Sequence, residues 1–243
     1  MSRITTIIFD VSGVLLNDIQ TVWKADSDAY QACGLPKRET IQKFKQTFKL
    51  PTHEYHKTMR VPNNLIPKLE NEYRQAYTKH SHHITIFPEV ENALEKLKKQ
   101  KITLAIASNI PSQFLKEHLR RFEIDGYFDV VTGQDDCTEQ KPSPKPILIT
   151  LEKLGSEPDQ SAYVGDMEED IIAGKRAHVQ TFAVCRDDSY HPGWKLRRQN
   201  PGFFISDLRE LLAILGIVQI SQSKGSEPDN ISSSSATDSS FPL

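Results

Sequence analysis

Ile7-Ile8-Phe9-Asp10-Val11-Ser12-Gly13-Val14-Leu15 is the stretch on which the fold turns. Its apolar start is the pattern of a strand buried on both faces of a parallel sheet. The run then breaks into a carboxylate, a hydroxyl and a glycine. A carboxylate at the C-terminal end of such a strand stands where open α/β sheets hold their ligands. Gly13 lets the backbone turn sharply and come close to a bound group. A strand followed by an ordinary polar turn fits the stretch equally well, so the residues downstream decide between the two.

From Pro88 onward strands and helices alternate. Val90, Ala93, Leu94 and Leu97 recur at helical spacing, and Ile102 to Ala107 is a buried strand ending in Ser108-Asn109. Phe114, Leu115, Leu119 and Phe122 mark the next helix, and Phe128 to Thr132 the next strand. A helix carries Ile147, Leu148, Leu151 and Leu154, and Ala162-Tyr163-Val164 is a strand ending in Gly165-Asp166. Ile171, Ile172 and Ala173 follow on a helix, then strands at Thr181–Val184 and Phe203–Ile205 and a last helix at Leu208–Leu215. This alternation predicts an α/β fold, a doubly wound parallel sheet.

Residues 16–82 break the pattern. Ile19 to Cys33, Ile41 to Phe48, a short segment from Thr52, and Ile66 to Tyr77 all read as helices, with no strand signal between them. Asp26 falls on the apolar face of the first, which predicts that this face is not wholly buried. The expected organisation is an α/β core of residues 1–15 and 83–216, an inserted helical module of 16–82, and a disordered Ser-rich tail of 217–243. His80, His82 and His83 lie on the return linker, but no cysteine or carboxylate nearby completes a metal set, so a solvated hinge is expected.

Composition excludes several classes. A net charge of −2 with 26% charged residues shows no basic excess for nucleic acid. No apolar run is long enough to span a bilayer, so no membrane partner is expected. Cys33, Cys137 and Cys185 are far apart and odd in number, which fits a cytoplasmic protein. The state is expected to be a monomer or homodimer.

Polar residues stand at several strand ends: Asp10 and Ser12, then Ser108, then Asp166, with Lys141 opening Lys141-Pro142-Ser143-Pro144. Strand ends of a parallel sheet converge on one edge, so these groups can meet. Singly, each has a plainer role. Ser108 and Asn109 suit a helix cap, Lys141 a surface lysine, and Asp166 with Glu168, Glu169 and Asp170 a helix N-terminus. Together they form a coherent set. A carboxylate can act as nucleophile toward phosphorus, and Asp10 with Asp166 are hard oxygen donors suited to Mg²⁺. Ser108, with N–H groups at the start of the following helix, can hold phosphate oxygens, and Lys141 offers a fixed positive charge.

The set resembles the haloacid dehalogenase superfamily, in particular its members with a helical cap inserted after the first strand and a phosphoglycolate-phosphatase-like pattern. The likeness rests on Phe9-Asp10-Val11-Ser12-Gly13-Val14, Ala107-Ser108-Asn109, Lys141-Pro142-Ser143-Pro144, and Gly165-Asp166-Met167-Glu168-Glu169-Asp170 with Ala173-Gly174, and it covers about residues 4–215. It implies a Rossmann-like core and a Mg²⁺-dependent phosphatase of a small phosphorylated metabolite, working through an aspartyl-phosphate on Asp10. Asp10, Ser12 and Lys141 would be catalytic. Ser108, Asn109 and Lys141 would bind the phosphate. Asp10, the Ser12 carbonyl and Asp166 would hold Mg²⁺, with Asp170 in support. The helical module would close over the site and select the substrate.

Ser12 departs from that family pattern. Its phosphatases carry a second aspartate there, as general acid and base. P-type ATPase relatives have threonine, phosphonate-cleaving relatives alanine with a cap lysine, and dehalogenating relatives a bulkier aromatic residue. Lys24 and Lys57 are the available cap lysines here. A serine hydroxyl is a poor acid or base near neutral pH, so a slow enzyme is expected, in which phospho-Asp10 accumulates and Ser12→Asp accelerates turnover. The rival expectation is a weakly active or inactive relative that binds a phosphorylated ligand or protein partner. A phosphoglucomutase cycle is disfavoured by the missing aspartate. Trp23, Tyr55 and Arg60 are candidates for substrate selection.

Overall fold

The computed structural model describes residues 3–36 and 40–218. Its centre is a six-stranded sheet whose neighbouring strands all run parallel. β1 is Thr6–Phe9, β4 Thr103–Ala107, β5 Val130–Thr132, β6 Ser161–Gly165, β7 Gln180–Val184 and β8 Phe203–Ile205, in the order β5-β4-β1-β6-β7-β8. Ile8 sits between Ala105 and Tyr163 in register. The chain builds outward from β1 to one side, then returns to build on the other. The strand order therefore reverses at β1, which places a crevice at the carboxyl end of that strand.

Alternation along β1 sorts the helices into two layers. Ile7 and Phe9 point into a core shared with α5 (Val90–Lys99), α6 (Ser112–Arg121) and α10 (Leu208–Ile214). Ile8 points the other way, against Ile147 and Leu151 of α7 (Lys145–Leu154) and Ala173 of α8 (Glu168–Arg176). A six-residue helix, α9 (Gly193–Arg198), is an addition to the sequence expectation. Only Leu196 of it is buried, so it leaves no apolar periodicity to read.

Between β1 and α5 lie α1 (Ile19–Ala32), α2 (Ile41–Thr47), α3 (Thr52–Thr58) and α4 (Ile66–His80). They have a small apolar cluster of their own around Ala29, Tyr30, Val61 and Leu69. Where the sequence shows no strand, a short antiparallel ribbon joins β2 (Leu16–Asn17) to β3 (Thr85–Ile86) at the two crossings into this module. Two residues per strand are too few for alternation to register in a sequence. The return linker is fastened to the sheet side. The Arg121 guanidinium donates to the carbonyls of Ser81, His82 and Ile84 at 2.7, 3.1 and 3.1 Å.

The linker histidines correct the solvated-hinge expectation in part. His80 is buried, with Nε2 2.8 Å from Asp28, while His82 and His83 lie at the surface with their rings tilted against each other, centroids 3.9 Å apart. Further along, the module touches the α/β side through the loop after α2. Leu50 N–H donates to Glu169 at 3.1 Å. His191 Nδ1 accepts from Glu168 N–H at 3.0 Å, so its Nε2 carries the proton and donates to the Phe48 carbonyl at 2.8 Å. Among the described residues no helix is long and apolar enough to cross a membrane, and the three cysteines are unpaired. The Ser-rich segment expected to form a tail lies outside the described residues from 219 on, whereas Ile217 and Val218 pack against the core.

Candidate active site

Asp10 follows the last residue of β1, and its N–H is tied to the Val164 carbonyl at 2.9 Å. The neighbouring strand β6 ends in Gly165-Asp166, so both carboxylates arrive side by side at the reversal point. Asp170 comes in from the first turn of α8. It reaches back to accept from the N–H groups of Asp166 and Met167 at 3.1 and 2.9 Å, which caps the helix and sets the turn after β6. The Asp10, Asp166 and Asp170 carboxylates each place an oxygen within 4.8 Å of the others, and all three are buried.

Lys141 is the single ammonium among them and is fully buried. Its Nζ lies 2.6 Å from Asp170 Oδ1, 2.8 Å from the Tyr163 hydroxyl and 3.0 Å from Asp10 Oδ1. Burial opposes the charge on Lys141, but Asp10 and Asp170 outweigh it and hold the ammonium well above the usual lysine value. Burial pushes the Asp10 carboxyl above the ordinary range, against Lys141, which pulls it down. Asp166 is driven well above that range by burial and by Asp170. Tyr190 N–H holds its Oδ2 at 2.6 Å, and its buried Oδ1 has no hydrogen-bond partner.

Gly13 makes the close packing possible. Its φ is +72°, where a side chain is strained, and a Cβ there would stand 2.0 Å from Asp166 Oδ2. Gly165 is needed for the same reason, since a Cβ on it would stand 2.3 Å from the Asp170 side chain.

Ser108 follows β4 and is buried at the same edge, held by its N–H to the Thr132 carbonyl at 3.0 Å. The expectation that a helix start backs Ser108 is corrected. α6 begins only at Ser112, and that residue's N–H donates to Asp135 at 2.6 Å. Asn109 faces Lys141. Its Oδ1 accepts from Lys141 N–H at 3.1 Å and its amide donates to the Lys141 carbonyl at 3.2 Å. The side chain expected to hold phosphate is thus spent on fixing the lysine's backbone.

Ser12 is where sequence and structure part most. Its hydroxyl donates to Asp18 Oδ2 across 2.6 Å, and the Tyr190 hydroxyl donates to Asp18 Oδ1 at 3.0 Å. Asp18 sits at the N-cap of α1 yet makes no capping bond with its side chain. Burial raises its pKa to about 7, even though the hydrogen bonds from Ser12 and Tyr190 pull it down. Asp10, Ser12 and Asp18 line one cavity, of about 290 Å³, between the helical module and the strand ends. Asp18 is the functional candidate missing from the sequence analysis. Its only sequence signal is a carboxylate directly before an apolar helical pattern, which reads as a helix cap.

The remaining candidates divide. Tyr55 lines this cavity, and Trp23 and Arg60 do not. Lys24 and Lys57 are exposed and also absent from its lining. Asp26 is 5% exposed and lines the cavity, so the α1 face that carries it is shielded from bulk solvent and fronts the cavity.

The carboxylate cluster fits a divalent cation. Of three buried carboxylates two, Asp10 and Asp170, share one ammonium, an Asp166 oxygen is left without a partner, and all donors are hard oxygens of the kind that bind Mg²⁺.

Residues 7–184 match the family model described as haloacid dehalogenase-like hydrolase. The chain is 30% identical over 218 residues to the pyrophosphatase PpaX of Oceanobacillus iheyensis, covering 88% of this chain and 97% of that one. It is 36% identical over 156 residues to a phosphoglycolate phosphatase of Aquifex aeolicus, covering 61% and 70%. Among solved structures, a haloacid dehalogenase-like family protein from Streptococcus pneumoniae superposes with a TM-score of 0.77 at 21% identity, over 87% of this chain and 98% of that one. A hydrolase from Pseudomonas syringae does so with the same score, identity and coverage.

Proposed function

The chain belongs to the haloacid dehalogenase-like hydrolase family, and from that premise we propose that it is a Mg²⁺-dependent phosphatase of a small phosphorylated metabolite, with Asp10 as nucleophile. The single observation that carries this is the buried cluster at the strand ends. Lys141 is pinned between Asp10 and Asp170, with the unpartnered oxygen of Asp166 beside them. A buried carboxylate oxygen without a protein partner, set among two further carboxylates, calls for a cation or water to satisfy it. The names of the relatives, pyrophosphatase and phosphoglycolate phosphatase, agree with phosphoryl chemistry.

In this proposal Mg²⁺ would be held by Asp10, Asp166 and the Ser12 carbonyl, with Asp170 orienting the neighbourhood. When bound it supplies positive charge that offsets the repulsion between an anionic nucleophile and an anionic phosphate. Lys141 and Ser108 hold the phosphoryl oxygens as charge shifts toward the leaving group. Asn109 keeps the Lys141 backbone in place.

The reaction has two halves. Asp10 attacks phosphorus, the bond to the leaving oxygen breaks, and that oxygen takes a proton. Water then attacks the aspartyl-phosphate, the bond to Asp10 breaks, and the water gives up a proton. We assign both proton transfers to Asp18 acting through the Ser12 hydroxyl. Asp18 gives the proton in the first half and regains it in the second, so the cycle closes. This pairing removes the main argument for an inactive relative, which was the absence of a carboxylate at position 12. A reducing compartment such as the cytoplasm suits the unpaired cysteines.

Asp10→Asn tests the mechanism. It keeps the shape of a residue at a strand end and removes the nucleophile. Phosphate release in the presence of Mg²⁺ is expected to vanish with the melting temperature preserved. Substantial release by the purified variant would sink the aspartyl-phosphate.

A further inference from the structure

The cavity in front of Asp10 also describes what is attached to the phosphate. We propose that the substrate is a phosphomonoester of an apolar, aromatic alcohol that carries no second anionic group. This rests on the phosphatase assignment above and narrows it.

Two runs of rings line the cavity. In one, Tyr73 stacks on Tyr77 with centroids 5.9 Å apart, and Tyr77 meets Phe114 edge-on at 5.8 Å. In the other, Tyr55 meets Phe48 at 5.1 Å, and Phe48 meets Tyr190 at 5.7 Å. The first run joins α4 to α6, and the second joins α3 to the loop that carries Tyr190. Both therefore span from the helical module to the α/β side. About 290 Å³ between such walls suits one flat ring plus a phosphate, near the lower end of ligand pockets, which run from about 300 to 1,000 Å³.

Charge points the same way. Among the described residues, the buried carboxyl groups of the lining beyond Asp10 are Asp26, which accepts from the Tyr55 hydroxyl at 3.2 Å, and Asp18, which carries its proton when the ester binds. Glu70 adds a third at the mouth. Arg74 of the lining is exposed like Glu70 and offsets it, and the buried His56 is engaged with the Tyr30 hydroxyl at 3.4 Å. With the phosphoryl group at Asp10 and Lys141, the second charge of pyrophosphate or of phosphoglycolate would enter space edged by rings and the buried Asp26, with no buried lysine or arginine among the described lining residues to meet it. A ring without negative charge meets neither penalty. On this ground the chain's substrate differs from those in its relatives' names.

The test compares benzyl phosphate, 2-phosphoglycolate and pyrophosphate with Mg²⁺ and the full chain. The two esters both release a primary alkoxide, so their ratio reports recognition, not leaving-group chemistry. The kcat/KM for benzyl phosphate is expected to exceed that for either of the others by at least about tenfold, the scale on which an apolar pocket discriminates. Phe114→Ala, at a half-buried position, is expected to lower the ratio of benzyl phosphate to phosphoglycolate by at least about fivefold. Equal or better use of phosphoglycolate or pyrophosphate overturns the inference and leaves the phosphatase assignment intact, as does a Phe114→Ala loss shared equally by both esters. No Asp10-dependent release from any of the three overturns both.

Discussion

Asp18→Asn is the change that most directly probes how a chain with serine at position 12 moves protons. The Ser12 hydroxyl donates to Asp18 across 2.6 Å, and Tyr190 holds the other carboxylate oxygen at 3.0 Å. Asparagine fills the same volume but cannot take up a proton. A positioned general acid or base supplies about 10²–10⁴-fold. Turnover of an alkyl phosphate is therefore expected to fall at least about a hundredfold, or about 3 kcal/mol of barrier. Ser12→Ala cuts the same path, so the double variant should be no slower than the slower single one. Ser12→Asp is more telling. From sequence alone it should accelerate the enzyme. Next to Asp18 it sets two carboxylates about 4 Å apart, which repel by about 4 kcal/mol at an effective dielectric of about 20. It is therefore expected to lower the melting temperature and to leave turnover no faster than wild type. Exchanging the pair, Ser12→Asp with Asp18→Ser, swaps donor and acceptor across one hydrogen bond and should restore turnover to within about tenfold of wild type.

The assays are steady-state phosphate release and acid-quenched mass spectrometry of the protein. With an aryl phosphate the leaving group needs little protonation, so the first half-reaction survives in Asp18→Asn and phospho-Asp10 accumulates. The pH profile carries a sign. Asp18 must be ionised to accept the water's proton, and burial places its pKa at about 7. A cation held at Asp10 draws that value down. For an aryl ester, kcat should therefore rise with pH through a midpoint at or below about 7, and Asp18→Asn should flatten that limb. Asp18→Asn within about threefold of wild type on an alkyl phosphate, with no accumulated adduct, would refute the reasoning.

Two other outcomes are set by the packing of the site. Gly13→Ala should lower stability by more than about 1 kcal/mol and abolish activity, because a side chain at φ +72° is strained and its Cβ would displace Asp166; thermal melting and phosphate release check it. Mg²⁺ at about a hundred times its dissociation constant should stabilise the wild type by about 2.7 kcal/mol, and Asp166→Asn should lose most of that rise in melting temperature, whereas an equal rise in the variant would mean the cation binds elsewhere.

How much of this was legible in the sequence depends on the range over which each signal acts. Asp10, Ser108 and Asp166 declare themselves because each ends an apolar run, and strand ends of a parallel sheet must converge. Lys141 is less legible, since lysine is ordinarily exposed. Its burial follows from three partners, one just past β1, one in β6 and one in α8, none of them near it in the chain. Asn109 is visible as a polar residue at the right edge, but its use as a brace for Lys141 needs the three-dimensional pairing. Asp18 is hidden twice. Its position mimics a helix cap, and the partner that completes its environment, Tyr190, lies in the loop after β7. Ile19 to Ala32 is legible as a helix, whereas the β2–β3 ribbon is too short to show a period.

The same geometry explains why position 12 can hold serine without stranding the chemistry. A carboxylate at residue 12 would be fixed on the turn beside Gly13, against which Asp166 is packed and next to which Asp10 already shares Lys141 with Asp170. Asp18 sits one hydroxyl further away, at the start of the helix that lines the substrate cavity. Its hydrogen bonds come from Ser12 and Tyr190, and none comes from Lys141. The proton carrier thereby stands outside the carboxylate cluster that Lys141 serves, close enough for Asp10 to help raise its pKa, and the Ser12 hydroxyl is bonded to it. Separating them has a structural consequence. Asp18 belongs to the helical module through α1, and Tyr190 to the α/β side, so the proton carrier is positioned only where those two parts meet. Loosening that contact, for instance at the His191–Phe48 hydrogen bond, should therefore slow proton transfer before it affects the carboxylates at the strand ends.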